Sequence, residues 1–249
     1  MKQLPYKLIH EDEELVIINK SAGVLSIPDR YDGSLKNIYQ LLKDRFGSIY
    51  QAHRLDKFTS GLMMFAKTEA ALKDLSLQFE NNQVEKIYEA IIEGILPEES
   101  GIIEAPIAYN SNKRKMTIQK NGKPSKTYFK AVEKFDGFSH IKLKLETGRT
   151  HQIRVHLEYI ACPLLVDPVY GLRDGFLLST IKRKYRGSKN EEERPLLSRT
   201  PLHAKSLVFK HPKSKETVNF ESEVPKDINA CLKQLRKWKP YKDQIHLYD

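Results

Sequence analysis

His53-Arg54-Leu55-Asp56-Lys57-Phe58-Thr59-Ser60-Gly61-Leu62-Met63-Met64-Phe65-Ala66-Lys67 joins two chemically different halves. Residues 53–61 are polar and end on a glycine. Residues 62–66 form an apolar run of the length of a buried strand. The carboxylate in the polar half, Asp56, has His53, Arg54 and Lys57 as neighbours, which favour its ionised form near neutral pH. An ionised carboxylate at the mouth of a buried strand is placed to act as a nucleophile. The alternative reading is an aspartate that caps a turn and pairs with Arg54.

Outward from this stretch, the chain has 249 residues, 40% of them hydrophobic, enough for one large domain or two small ones. A formal net charge of +10 suits a polyanionic partner, nucleic acid above all, or an acidic membrane surface. The two cysteines, Cys162 and Cys231, have no metal spacing and form no disulfide framework; they fit a reducing cytosol as buried thiols. No stretch has the length of a signal-peptide core or a bilayer span. The expectation is a soluble cytoplasmic protein, monomeric, with no membrane attachment and no obligate protein partner.

Before the key stretch, Leu15 to Ile18 is a β-rich run stopped by Asn19-Lys20-Ser21-Ala22-Gly23, and Val24 to Ile27 reads as a short second strand ended by Pro28. Asn37 to Phe46 has helical spacing. After it, Thr68 is a candidate N-cap for a helix whose stripe is Ala71, Leu72, Leu75 and Phe79. Val84 to Ile95 reads as a strand on which Tyr88 shares a face with Lys86 and Ala90. That tyrosine suits stacking on a base, and equally a core position with its hydroxyl satisfied.

Residues 109–130 are rich in Lys and Arg, and Asn121-Gly122 is a hairpin dipeptide. A basic hairpin that clamps a phosphate backbone and a solvated ribbon are both compatible with it. Ile141, Leu143 and Leu145 alternate with charged residues, as in a half-buried strand. Glu146-Thr-Gly-Arg-Thr-His-Gln-Ile-Arg-Val-His-Leu157 follows. Here Thr150 is a candidate cap, Ile153, Leu157 and Ile160 form an apolar stripe, and His151, Arg154 and Glu158 share another face. Arg154 requires a negative partner, either a phosphate or a carboxylate such as Glu158 at i+4. His151 and His156 lack the spacing of a helical zinc pair, so no metal is expected. Residues 172–200 are dense in charge and read as an exposed insertion. Residues 228–238 read as an amphipathic helix with Ile228, Leu232 and Leu235 inward.

His53-Arg54-Leu55-Asp56-x-x-Thr59-Ser60-Gly61-Leu62 closely resembles the signature of the RluA-type RNA pseudouridine synthases. Lys86-x-Tyr88-x-Ala90 resembles that family's second motif, and Gly148-Arg149-x-His151-Gln152-Ile153-Arg154-x-His156 a third. Weaker likenesses are Asn19-Lys-Ser-Ala-Gly23, with Ser21 where the family has proline, and Val166-Asp-Pro-Val-Tyr-Gly171, with Val166 where it has glycine. The resemblance spans about residues 10–225. It implies that Asp56 is the catalytic nucleophile, that Tyr88 packs on the target ring, and that Arg154 is the counter-ion of Asp56. It implies that His53, Arg54, Thr59, Arg149 and His151 lie near the substrate. It also implies a single catalytic domain over 1–249 with no upstream RNA-binding module, built on one bent sheet with a central cleft. The residue patterns alone give α+β with a mixed, largely antiparallel sheet and flanking helices.

The implied reaction isomerises uridine in ribosomal or transfer RNA to pseudouridine. Nothing enters or leaves and no net electrons move, so no cofactor is expected, and there is no Gly-rich phosphate loop. Two other classes compete. A catalytically idle RNA-binding module would gain nothing from Asp56, whose charge repels phosphate. A metal-dependent nuclease needs clustered acidic or histidine ligands, which the sequence does not offer.

Overall fold

The computed structural model describes residues 5–29, 32–185 and 192–241. In chain order the elements are β1 (Tyr6–Glu11), β2 (Leu15–Lys20), α1 (Ile38–Phe46), β3 (Tyr50–Gln51), β4 (Ser60–Ala66), α2 (Glu69–Glu80) and β5 (Glu85–Glu93). Next come β6 (Ser100–Glu104), β7 (Ile107–Asn110), β8 (Lys115–Ile118), β9 (Lys126–Phe135), β10 (Phe138–Leu145) and α3 (Gln152–Tyr159). The last are β11 (Leu202–Lys210), β12 (Thr217–Glu221) and α4 (Lys226–Trp238). The architecture is α+β with mixed, mostly antiparallel strand pairing. No helix among the described residues is long and apolar enough to cross a membrane.

The chain divides into two compact units. The first comprises Met1–Tyr88, Lys144–Thr147 and Leu202–Glu223, and the second comprises Glu89–Leu143, Gly148–Pro201 and Val224–Asp249. In the first unit β4 is central. It pairs antiparallel with β2 and β3 and parallel with β11, so every residue from Ser60 to Ala66 is buried. This is why residues 62–66 carry apolar side chains on both faces. One side chain too many would break the parallel contact. Gly61 has φ +118°, and a Cβ there would fall inside the backbone of Ala204 on β11.

Helix α2 starts where expected, with Thr68 Oγ1 accepting from the Ala71 N–H at 3.1 Å. It packs Ala71 and Leu75 into a cluster with Leu15, Leu62, Met64 and Phe209. Helix α1 is capped by Asn37, whose Oδ1 accepts from the Gln40 N–H at 2.9 Å. One strand is not read from the sequence and one expectation changes in this unit. Residues 6–11 form a strand with an irregular register between Leu8 and His10, which the mixed pattern conceals. Residues 24–27 are not a strand; only a bridge between Leu25 and Asn37 forms.

In the second unit β9 pairs antiparallel with β6, and β7 pairs with β8 as a separate hairpin. The hairpin turn is at 111–114. Asn121-Gly122 belongs instead to the next connection, where the Gly122 N–H donates to the Gln119 carbonyl at 2.8 Å and Lys123 bridges back to Ile107. Helix α4 buries Ile228, Cys231, Leu232 and Leu235 against Phe135, Phe138, Phe176 and Leu197. Phe176, Ile181 and Leu197 are at most 5% exposed and pin segment 172–200 to the core, while Leu172, Asp174, Arg183, Lys184 and Arg194 are exposed, in keeping with a charged surface segment. Residues 186–191 of that charged segment lie outside the described residues.

Candidate active site

The loop before β4 divides its side chains between solvent and core. Arg54, Lys57 and Phe58 are exposed and Asp56 half-buried, while Leu55 and Thr59 are buried at 5% and 2% exposure. Anchors act on the odd-numbered positions. His53 Nε2 accepts from the Met64 N–H at 3.0 Å. The Ser26 hydroxyl accepts from the Leu55 N–H at 3.1 Å and donates to the Leu55 carbonyl at 2.6 Å. The Lys57 carbonyl accepts from the Gly23 N–H at 2.8 Å and from Lys20 Nζ at 3.1 Å. Lys20 is wholly buried, and its ammonium also donates to the carbonyls of Ser21 and Val24 at 3.0 and 2.9 Å. A buried ammonium is tolerable only with such partners. The Thr59 N–H closes the turn onto the Asp56 carbonyl at 3.2 Å.

Behind the loop, Ser60 Oγ meets His203 Nδ1 at 3.0 Å, and His203 Nε2 meets Ser222 Oγ at 2.8 Å. These buried polar contacts tie β4 to β11 and to Ser222. Thr59, expected near the substrate, is carried beneath the loop. His53 is also a support: its ring lies 5.3 Å from that of Phe79. Loss of hydration, and then the positive charge of Lys86, push its pKa down to about 3. It is therefore neutral at physiological pH, with Nε2 free of a proton so that it accepts from Met64.

Tyr88 occupies β5, 6% exposed. Its phenol is held above its ordinary pKa, first by burial and then by the negative charge of Asp56. The hydroxyl is thus protonated across the physiological range, and the structure brings Asp56 and Tyr88 into one electrostatic environment within the first unit. Lys86, two residues back, has its Nζ 5.4 Å from the Phe79 ring centroid, and burial lowers its pKa to about 8.

Arg154, Arg149 and His151 belong to the second unit. Thr150 does not cap α3. His151 precedes the helix in a left-handed conformation, φ +57°, with no side-chain cap. Gln152 closes this turn instead: its Oε1 accepts from the Arg149 N–H at 3.0 Å, and its Nε2 donates to the Lys126 carbonyl and Thr127 Oγ1 at 3.0 and 3.1 Å. Arg149 is exposed, with Nε 3.4 Å from the Pro124 carbonyl. Arg154 is 8% exposed and forms a fork on Asp167, Nε to Oδ2 at 2.6 Å and Nη2 to Oδ1 at 2.8 Å. Burial opposes ionisation of Asp167, but the Arg154 guanidinium and the N–H groups of Val169 and Tyr170 outweigh it and hold its pKa down.

Glu158, the i+4 candidate for Arg154, pairs instead with Lys115 at 2.7 Å. The Tyr170 ring has Arg154 and Lys115 each 4.8 Å from its centroid, and its hydroxyl meets His151 Nδ1 at 2.9 Å. Burial pushes that phenol up to about 12. The sequence marked 166–171 without a role; Asp167 and Tyr170 are what it contributes. Lys20 and Gln152 stand in quoted strings without a role, and Ser26 reads only as part of a short strand, because none departs from what such a segment displays.

The family model for RNA pseudouridylate synthase matches residues 14–159. Over 236 residues the chain is 39% identical to the ribosomal large subunit pseudouridine synthase D of Neisseria meningitidis serogroup B, a match covering 92% of this chain and 61% of that protein. The chain thus spans less than two thirds of that relative's length. An uncharacterized RNA pseudouridine synthase of Bacillus subtilis is 35% identical over 239 residues, 92% of this chain and 73% of that one. Among solved structures, human RNA pseudouridylate synthase domain containing 1 superposes with a TM-score of 0.70 at 27% identity, over 95% of this chain and 89% of that one.

Proposed function

Because the chain belongs to the RNA pseudouridylate synthase family, we propose that it isomerises specific uridines in ribosomal RNA to pseudouridine, with transfer RNA the second substrate class. The observation that carries this is Asp56 on a loop anchored at both neighbouring residues, with its charge acting on the buried Tyr88, whose phenol is held protonated first by burial and then by Asp56. Detaching a base from C1′ and rejoining it through carbon requires a carboxylate at the nucleotide and a flat surface for the freed ring. Asp56 takes the first role, as nucleophile, and Tyr88 the second.

By the family likeness Arg154 is the counter-ion that keeps Asp56 charged and aimed. Arg54, exposed beside Asp56, fills the stack when the target base leaves it, a step that costs about a few kcal/mol. The isomerisation conserves every atom and moves no net electrons, so it calls for no redox partner. The charge of +10 supports a polyanionic substrate.

The test uses ribosomal RNA transcripts and pseudouridine mapping with the purified protein, in chelator. The expected result is site-specific pseudouridine with the parent enzyme and none with Asp56→Asn, which still binds the RNA. Turnover by Asp56→Asn would reject the nucleophile, and a rate that requires added metal would reject the cofactor-free reaction.

A further inference from the structure

Ser26 is the one polar residue in the run Val24-Leu25-Ser26-Ile27, and it is 3% exposed. A hydroxyl is placed among apolar neighbours at a cost unless it is bonded. Here its two short bonds go to the same residue: it accepts from the Leu55 N–H at 3.1 Å and donates to the Leu55 carbonyl at 2.6 Å, with Met63 Sδ a longer contact at 3.5 Å. Paired contacts on one residue's N–H and C=O fix the position of the chain and also its rotation about its own axis. Leu55 immediately precedes Asp56, so that rotation sets the direction in which the Asp56 side chain leaves the backbone.

Ser26 is itself held at its far side. Its carbonyl accepts from the Tyr39 N–H at 3.1 Å, and the Leu25 carbonyl accepts from the Ile38 N–H at 2.9 Å. These donors belong to the first turn of α1, where helical N–H groups have no partner inside the helix. The path from helix to carboxylate is therefore α1, Ser26, Leu55, Asp56, all within the first unit.

We infer that Ser26 is a positioning residue for the reaction: its hydroxyl transmits the rigidity of α1 to the Leu55 backbone and thereby aims the Asp56 carboxylate. The inference rests on Asp56 being the nucleophile. Misplacement of a reacting group by about 1 Å costs up to about 100-fold in rate. Ser26→Ala removes both hydrogen bonds without adding bulk, so the single-turnover rate constant should fall about 10- to 100-fold. The RNA dissociation constant should stay within about 2-fold, because Ser26 is buried and presents nothing to a ligand. Ser26→Thr, which keeps the hydroxyl, should recover most of the rate.

The experiment pairs single-turnover pseudouridine formation with hydrogen exchange at the Leu55 amide. Faster exchange at Leu55 together with a slower reaction at unchanged RNA affinity supports the assignment. A parent-like rate in folded Ser26→Ala overturns it, and so does a rate loss that Ser26→Thr shares equally. Where Ser26→Ala does not fold, Ser26→Cys takes its place, since it keeps the shape and weakens both bonds; a parent-like rate there is equally fatal. The exchange arm needs no turnover, and unchanged exchange at Leu55 overturns the inference whatever reaction the protein catalyses. Failure of the functional reading shows separately, as absence of product from the parent enzyme.

Discussion

The neutral state of His53 makes a quantitative claim about acid stability. Its pKa is lowered from 6.5 to about 3, so below pH 6.5 the unfolded chain takes up a proton that the folded chain refuses. Stability should therefore fall as the pH drops from 6.5 towards 3, at about 1.4 kcal/mol per pH unit, and be indifferent to His53 above 6.5. The full interval is worth about 5 kcal/mol, reduced to about 3 by the partial exposure of the ring. That is a large share of the 5–15 kcal/mol that typically holds a domain together. His53→Gln isolates the effect, since an amide oxygen accepts from the Met64 N–H but does not titrate. Denaturant unfolding followed by circular dichroism, from pH 7.5 to 3.5, should show a shallower acid slope for the variant, the other acid-sensitive carboxylates being common to both. Equal slopes would refute the reasoning. A His53 imidazole that titrates near 6.5 by NMR would do the same.

Gly61→Ala should cost about 3 kcal/mol or more in unfolding measurements, because φ +118° and the Ala204 backbone both forbid a side chain. Asp167→Asn should cost about 3–5 kcal/mol by taking the charged half of the buried fork from Arg154, whereas Glu158→Ala should cost under about 1 kcal/mol; the reverse ranking would contradict the pairing seen here. Tyr88→Phe should keep ring stacking yet slow the single-turnover step, and an unchanged rate would strip the hydroxyl of any acid–base role. RNA affinity should fall steeply between about 50 and 200 mM salt in filter binding, and a flat response would contradict recognition through phosphates.

The elements legible in the sequence are those whose burial is one-sided or complete. Strand β10 buries Ile141, Leu143 and Leu145 and exposes Lys142 and Lys144, and α2 starts at the threonine that its capping chemistry requires. What resisted reading is set by partners distant in sequence. Residues 24–27 have the composition of a strand, but their backbone is spent on the start of α1 and on the Lys20 ammonium, leaving no row of groups for a ladder. Asn121-Gly122 does turn the chain, but a hairpin dipeptide names a turn without naming the strands it joins. The i+4 rule offered Glu158 to Arg154, yet that spacing is worth only about 0.2–0.5 kcal/mol. A fork onto a carboxylate 1% exposed outweighs it, since neither buried charge has water to fall back on.

The motif around Asp56 was legible as a string, but its mechanical logic was not. An isolated signature shows five polar or charged residues near one aspartate and invites the view that all of them face the substrate. Anchoring separates them. The His53 ring and the backbone at 55 and 57 are bound by Met64, Ser26, Gly23 and Lys20, while the side chains of Arg54, Lys57 and Phe58 are exposed and Asp56 is half-buried. Histidine at 53 then serves as a neutral acceptor, and arginine at 54 is the exposed cation two residues before Asp56. The same reasoning explains a fully buried lysine at 20: a backbone carbonyl facing the interior at residue 57 needs a donor that reaches it, and a long side chain from the end of β2 spans that distance.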